Sequence, residues 1–347
     1  MDWFERLTGF RETGYEGTRC QLEVQGARLR SRVNGKSYGI GALELVSLGE
    51  LRQRVQSAGS LPGRLTVRVV SGDVRHLHRA PEYAGALFQV ASQFNLLEMT
   101  SPDVTPEQGV TRYAGDPTQG PACAIAAGAA TIYRNYFALM GDASGQTAGR
   151  QLDGLADLGA ALDEAIGQAL GQPVESLWEM RNGYAMGTRS GLQAIATHLA
   201  SITPGEIDVL RSRLRIGVHS DVEVTDAGGP SNPAGHPGPL VSQAFCSALP
   251  VAYSRVPQAD WRAFACLVLE AAYEATLWAG VLNAQRGNSN VVLLTRLGGG
   301  AFGNDDDWIH AAMHRALHKA AGFGLDVRLV SYGSPSRALL QMARDFE

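Results

Sequence analysis

The sequence predicts a three-layer α/β/α fold built on a mixed sheet, and two observations predict it. From Arg64 onward, short β-branched and apolar runs alternate with helix-length segments, as in sheets covered by helices on both faces. Near the C-terminal end, Val291 to Thr295 opens onto a glycine-rich stretch, and Asp306 to Ala321 then reads as an amphipathic helix. Residues 1–64 form an N-terminal β-rich extension ahead of an α/β domain at 65–347, which carries a helical insertion at about 141–205.

Residues 18–33 alternate as a strand through Leu22, Val24, Leu29 and Val33, and Asn34-Gly35 is a two-residue hairpin signal. Tyr38 to Val46 supplies the returning strand. Leu65 to Val70 is a buried strand ending at Ser71-Gly72-Asp73, and Ala86 to Ser92 is another, ending at Gln93-Phe94-Asn95. Thr131 to Leu139 is a third candidate strand. The Ala/Leu/Gly-rich stretch 141–205 is helix-prone. Arg213 to Thr225 is a strand with alternating polar residues, and Asp226 to Pro239 is too rich in breakers for a regular element. Val241 to Leu249 is a strand, Asp260 to Asn283 a long helix, and Leu325 to Ser331 the last strand.

Composition narrows the function classes. With 347 residues and a net charge of −4, the 30 basic side chains form no long cluster, so no specific nucleic-acid partner is expected. Met1-Asp2-Trp3-Phe4-Glu5-Arg6 carries charges where a signal peptide needs an apolar core. No uninterrupted apolar run reaches membrane-spanning length, which points to a cytoplasmic protein or an effector exported by a non-cleaved signal. Cys20, Cys123, Cys246 and Cys266 are far apart and lie in apolar contexts, so buried thiols are expected rather than a thiolate zinc site. No metal or cofactor is expected.

The loop Gly298-Gly299-Gly300-Ala301-Phe302-Gly303-Asn304 can bring backbone amides close to a ligand beside a helix start, which suits a phosphate. It lacks the Lys-Ser/Thr ending of a P-loop, and its glycine spacing does not match the GxGxxG dinucleotide pattern. Ligands in such sheets sit where loops leave the strand ends, so Asp73 and Asn95 join the glycine loop as candidates.

Three segments, in order, resemble the macro domain family, the ADP-ribose-binding α/β/α fold. Gly72-Asp73-Val74 is similar to the family's Gly-Asp-Ile strand exit, whose aspartate accepts from the adenine amino group. Phe88 to Asn95 is similar to its Val-Asn-Ala-Ala-Asn strand end, which puts Gln93 beside the ligand and Asn95 on the distal ribose. Leu297 to Asn304 is similar to the loop that wraps the diphosphate, with Phe302 against the distal ribose. The family's Gly-Gly-Gly run is absent. Leu96 to Pro121 stands in its place, with Gln119 as a ligand-side candidate, and the Gln-Glu-Glu signature of poly(ADP-ribose) glycohydrolases is also absent. The chain looks more like a divergent branch that includes bacterial effector hydrolases acting on ADP-ribosylated arginine. The resemblance spans about 65–335 and implies ADP-ribose or an ADP-ribosylated protein as the partner, with removal of ADP-ribose from a modified protein as the activity, or else binding without chemistry or hydrolysis of another ADP-ribose derivative.

Hydrolysis at an anomeric carbon calls for a carboxylate. Asp221, Glu223 and Thr225 share one face of an alternating strand, Asp226 follows, and these three acids are the first catalytic candidates. Glu98, Glu107 and Asp116 in the replacement loop are alternatives. Asp305-Asp306-Asp307 reads as a helix cap beside the glycine loop. His310, His314 and His318 recur every four residues without the acid of an HExxH site, and His76 and His78 share a strand-like face. Glu270 and Glu274 on the long helix need partners if buried. No Gly-x-Ser-x-Gly elbow occurs.

Overall fold

The computed structural model describes residues 1–171, 176–226 and 237–347. Seven strands form the central sheet: β1 (Ala42–Ser47), β2 (Thr66–Ser71), β3 (Leu87–Ala91), β4 (Arg215–Glu223), β5 (Leu240–Cys246), β6 (Val291–Leu294) and β7 (Asp326–Ser331). Their spatial order is β1-β4-β5-β3-β6-β7-β2. Neighbours from β5 through β2 pair in parallel, whereas β4 runs antiparallel to both β5 and β1. The expected mixed sheet is therefore present, and five parallel strands end together on one side.

Side-chain alternation divides β3 between two layers. Leu87 joins the core cluster formed with the long helix Gln258–Gln285, while Phe88 and Val90 pack on the opposite face with Val74, Cys123 and Ala127. The second face is covered by three helices, Val74–Arg79, Gln119–Ala126 and Gly128–Tyr136. On the first face, Glu274 of the long helix is buried and accepts from Arg52 at 2.7 Å, Arg315 at 2.7 Å and Trp278 at 3.1 Å. Glu270 accepts from Arg211 at 2.6 Å, so both glutamates serve the packing of helices.

Several expectations change. Thr131 to Leu139 is largely helical, because the apolar side chains of Gly128–Tyr136 repeat at helical spacing and bury Ala129, Ala130, Ile132 and Tyr136. His76 and His78 lie on a short helix rather than a strand. The N-terminal part is mixed: helices Trp3–Thr8 and Tyr15–Cys20 precede a three-stranded meander, and Asn34-Gly35 does form one of its turns. Within the span 1–64 the chain enters the main sheet at Ala42. From there, β1 pairs with β4, and Leu48, Leu51 and Val55 of the next helix enter the main core. The 141–205 segment holds helices Ala156–Leu170 and Arg189–Ser201, but also a hairpin, Trp178–Arg181 with Tyr184–Gly187. Of the breaker-rich loop Asp226 to Pro239, residues 227–236 lie outside the described residues.

Candidate functional site

A cavity of about 780 Å³ lies at the C-terminal ends of the parallel strands. Roughly 300–1,000 Å³ is the usual size for a small-molecule site. Its wall takes Gly72 to Arg75 from the exit of β2, Ala91 to Gln93 from β3, Ala248 beyond β5, Thr295 onward from β6, and Ser331 onward from β7. From β2 to β3 is three inter-strand steps, ~14 Å, so an extended ligand can lie across the strand ends.

Asp73, Val74, Gln93, Gln119, Gly298, Gly300, Ala301 and Phe302 all line this cavity. Asp73 caps the helix that follows β2, its Oδ1 accepting from the Arg75 N–H at 2.8 Å. Its second oxygen has no hydrogen-bond partner among the described residues. Gln119 acts as a short surrogate strand, with Oε1 accepting from the Ala91 N–H at 2.9 Å and Nε2 donating to the Gln89 carbonyl at 2.8 Å. Gln93 staples its own turn by accepting from the Met99 N–H at 2.6 Å.

The glycine loop needs glycine at defined points. Gly298 has a φ of +73°, and a Cβ there would stand 2.4 Å from the Ala248 Cβ. Gly303 and Asn304 close the loop from behind, through the Gly303 N–H on Gly300 O at 3.1 Å and the Asn304 N–H on Gly298 O at 3.0 Å. Gly299 is turned toward Arg296 and Ile309. These three residues therefore support the loop without lining the cavity. Asp305 caps the helix Asp306–Lys319 as expected, and Asp306 is paired with Arg296 at 3.1 Å, which offsets its charge beside the loop.

Asn95 also departs from expectation. Its side chain is fully buried and committed, donating to Gln151 at 2.8 Å and accepting from the Leu97 N–H at 3.0 Å. Leu96 adopts a left-handed φ of 64°, which turns the chain sharply and sends Asn95 beneath the hairpin at Gly183 instead of into the cavity.

The three strand acids are moved away from the cavity. Because β4 is antiparallel to β5, Glu223 pairs with Leu240 at the start of β5, the opposite end of the sheet from the cavity. A register shift between His219 and Val222 also breaks the alternation that was to align the acids. Asp221, with φ 56°, is exposed and accepts from Asn288 at 2.8 Å, whereas Glu223 is buried and accepts from the Gly39 N–H at 2.6 Å. Thr225 lies beyond the strand and accepts from the Gly128 N–H at 2.9 Å. Asp226 is ion-paired with Arg75 and Arg79, and only Arg75 reaches the cavity wall.

The acids that do line the cavity are Asp73, Glu98, Asp116 and Asp306. Glu98 is 2 % exposed, and burial pushes its carboxyl up to about 7 even though Arg134 pulls the other way. Asp116 accepts from the Thr118 N–H at 2.9 Å on the rim. Three aromatic residues gather nearby, with ring centroids of Tyr184, Tyr253 and Phe302 at 5.2 to 5.6 Å from one another. Tyr332 stands 85 % exposed on the opposite rim, next to the Asp73 end.

Tyr184, Tyr253 and Tyr332 escaped the sequence reading. For Tyr184 a signal existed: Asn182-Gly183 is the same hairpin dipeptide as Asn34-Gly35, and both residues take positive φ, 46° and 82°. Nothing in the sequence marks Tyr253 or Tyr332.

No family model and no curated protein matches the chain. Among solved structures it is similar to poly(ADP-ribose) glycohydrolase from Deinococcus radiodurans in complex with ADP-ribose, at 16% identity and a TM-score of 0.44, over 88% of this chain and 93% of that one. It is also similar to the poly(ADP-ribose) glycohydrolase from Thermomonospora curvata, at 15% identity and a TM-score of 0.42, over 92% and 94% of the two chains.

Proposed function

We propose that this cavity binds ADP-ribose and that the protein hydrolyses the bond joining ADP-ribose to a modified protein, with arginine as the linked residue. The observation that carries the reading is convergence. Asp73 after β2, the Gly298–Phe302 loop after β6, and Gln119 and a buried acid after β3 meet in one cavity across the ends of the parallel strands.

The order of the strands gives the ligand its direction. The free oxygen of Asp73 accepts from the adenine amino group at the β2 end, with Tyr332 offering a ring face beside it. Glycine-loop amides meet the diphosphate near β6, and Phe302 packs on the distal ribose toward β3. The anomeric carbon then falls among Glu98, Asp116 and the three aromatic rings. A guanidinium keeps its charge, pairs with carboxylates and stacks on aromatic faces. Asp116 beside Tyr184, Tyr253 and Phe302 suits that leaving group better than the hydroxyl of serine or the carboxylate of glutamate. Binding without chemistry is the second reading, and turnover separates the two.

Calorimetry with ADP-ribose, AMP and ribose phosphate tests the binding. Asp73→Asn keeps the helix cap and removes the charge, so ADP-ribose should bind roughly tenfold to a hundredfold more weakly with little change in Tm. Release of ADP-ribose from arginine-, glutamate- and serine-linked substrates tests the chemistry, with the arginine linkage expected to turn over fastest. No ADP-ribose binding at millimolar concentration would end the reading.

A further inference from the structure

We infer that Glu98 is the catalytic acid–base residue of this site, held in place by Arg134. This rests on the hydrolase reading above. The other cavity acids have different assignments: Asp73 lies at the adenine end with one oxygen capping a helix, Asp116 holds its own turn with one oxygen and faces the leaving guanidinium, and Asp306 is paired with Arg296. Glu98 lies on the cavity wall, and both of its oxygens stand 3.4 Å from a single nitrogen, Nη2 of Arg134. That is a long contact for an ion pair, so the carboxylate keeps capacity to accept from water.

Arg134 does not depend on Glu98 for its position. It is fully buried, donates through Nε to the Leu96 carbonyl at 3.1 Å and through Nη2 to Thr131 at 3.0 Å, and lies 3.9 Å over the Phe245 ring. The Glu98 side chain has a shaped slot. At Gly120 a Cβ would stand 1.9 Å from the Ala91 carbonyl oxygen and 3.2 Å from Glu98 Cγ, so a larger residue would crowd the acid. Above it, the Tyr113 hydroxyl accepts from the Glu98 N–H at 3.3 Å.

The charged and titratable groups facing Glu98 are Arg134, Tyr113 and Cys123. Burial drives Tyr113 and Cys123 well above their ordinary values, so both stay neutral. Glu98 is the group left to titrate near neutrality, where proton transfer in both directions is efficient. In the step proposed, a water oxygen bonds to the anomeric carbon while the carbon–nitrogen bond breaks. The bonding pair leaves on the guanidine nitrogen. Glu98 takes the proton from water and passes it to that nitrogen, so the carboxylate is regenerated and the product arginine is again a cation.

The test uses the full chain and an ADP-ribosyl-arginine substrate. Glu98→Gln should lower turnover by roughly 10²-fold or more while ADP-ribose affinity by calorimetry stays within about threefold of wild type. Wild-type turnover should rise with pH through the neutral range, and this rise should be lost in Glu98→Gln. If that variant fails to fold, Glu98→Asp retains the charge but draws it back, and should slow turnover while keeping the pH-dependent rise. Full turnover in either folded variant, or a flat wild-type profile, would overturn the assignment and leave the hydrolase reading intact. Wild-type protein that binds ADP-ribose without turning over any linkage would overturn both.

Discussion

Glu12 Oε2 accepts a hydrogen bond from the Thr111 N–H at 2.7 Å across 99 positions of sequence, tying the N-terminal segment to the cavity. Its other oxygen accepts from the Val110 N–H at 2.9 Å and the Tyr136 hydroxyl at 2.7 Å. Gly109 must be glycine at this contact, with φ of +81° and a Cβ position only 2.3 Å from the Glu12 carboxyl carbon. The anchored turn, Thr111–Gly115, carries Tyr113 onto the Glu98 backbone. Residues before β1 thus help to build the floor of the site.

Glu12→Ala should therefore affect stability and chemistry together. Three donors lose a charged acceptor, which at about 1 kcal/mol or more per stranded donor costs at least about 3 kcal/mol in total. Urea unfolding should show the loss, and turnover should fall as Tyr113 loosens its hold on the Glu98 backbone. Unchanged stability would mean that water replaces the carboxylate at no cost.

Buried histidines set the acid limit of the fold. His78 is fully buried, bonded through Nδ1 to the Val74 carbonyl at 2.8 Å and stacked on Phe88 at 3.8 Å, and burial lowers it to about 4. His219, buried near Tyr133 and Phe245, is lowered to about 3 by burial and then by Arg134. Both depart downward from the ordinary 6.5. As pH falls below that value the unfolded chain takes up protons that the folded chain refuses, so stability declines. Each residue should contribute a slope of up to about 1.4 kcal/mol per pH unit until its folded-state value is reached. Denaturation series between about pH 7 and pH 5 should show the decline, and His78→Gln, which cannot titrate, should make it shallower.

The sheet was legible because buried strands leave a local mark. The predicted strands Leu65–Val70, Ala86–Ser92 and Leu325–Ser331 match β2, β3 and β7 within a residue or two. Strand direction leaves no such mark, since alternation reads the same both ways. The pattern alone thus sets Asp221 and Glu223 on the ligand side, while antiparallel pairing carries them to the other end. Among cavity-lining residues, those on strand exits and the glycine loop are recognisable from their motifs. Glu98 was visible only as one acid in an irregular loop, because its importance comes from Arg134 and Gly120, which approach it from elsewhere in the chain.

The glycine loop permits a paired test that separates folding from binding. At Gly298 a side chain would have to take a φ of +73° and overlap Ala248, so Gly298→Ala should destabilise the protein by about 2–4 kcal/mol. At Gly300 nothing lies within 4 Å of the Cβ position, and no positive φ is required. Gly300→Ala should leave stability within about 0.5 kcal/mol of wild type. Gly300 nevertheless lines the cavity, so a methyl group there would occupy space assigned to the diphosphate. ADP-ribose should bind Gly300→Ala at least roughly tenfold more weakly, the scale of one lost hydrogen bond to a charged group. Measured by calorimetry beside thermal unfolding, a stable variant with wild-type affinity would show that the diphosphate does not lie on this loop.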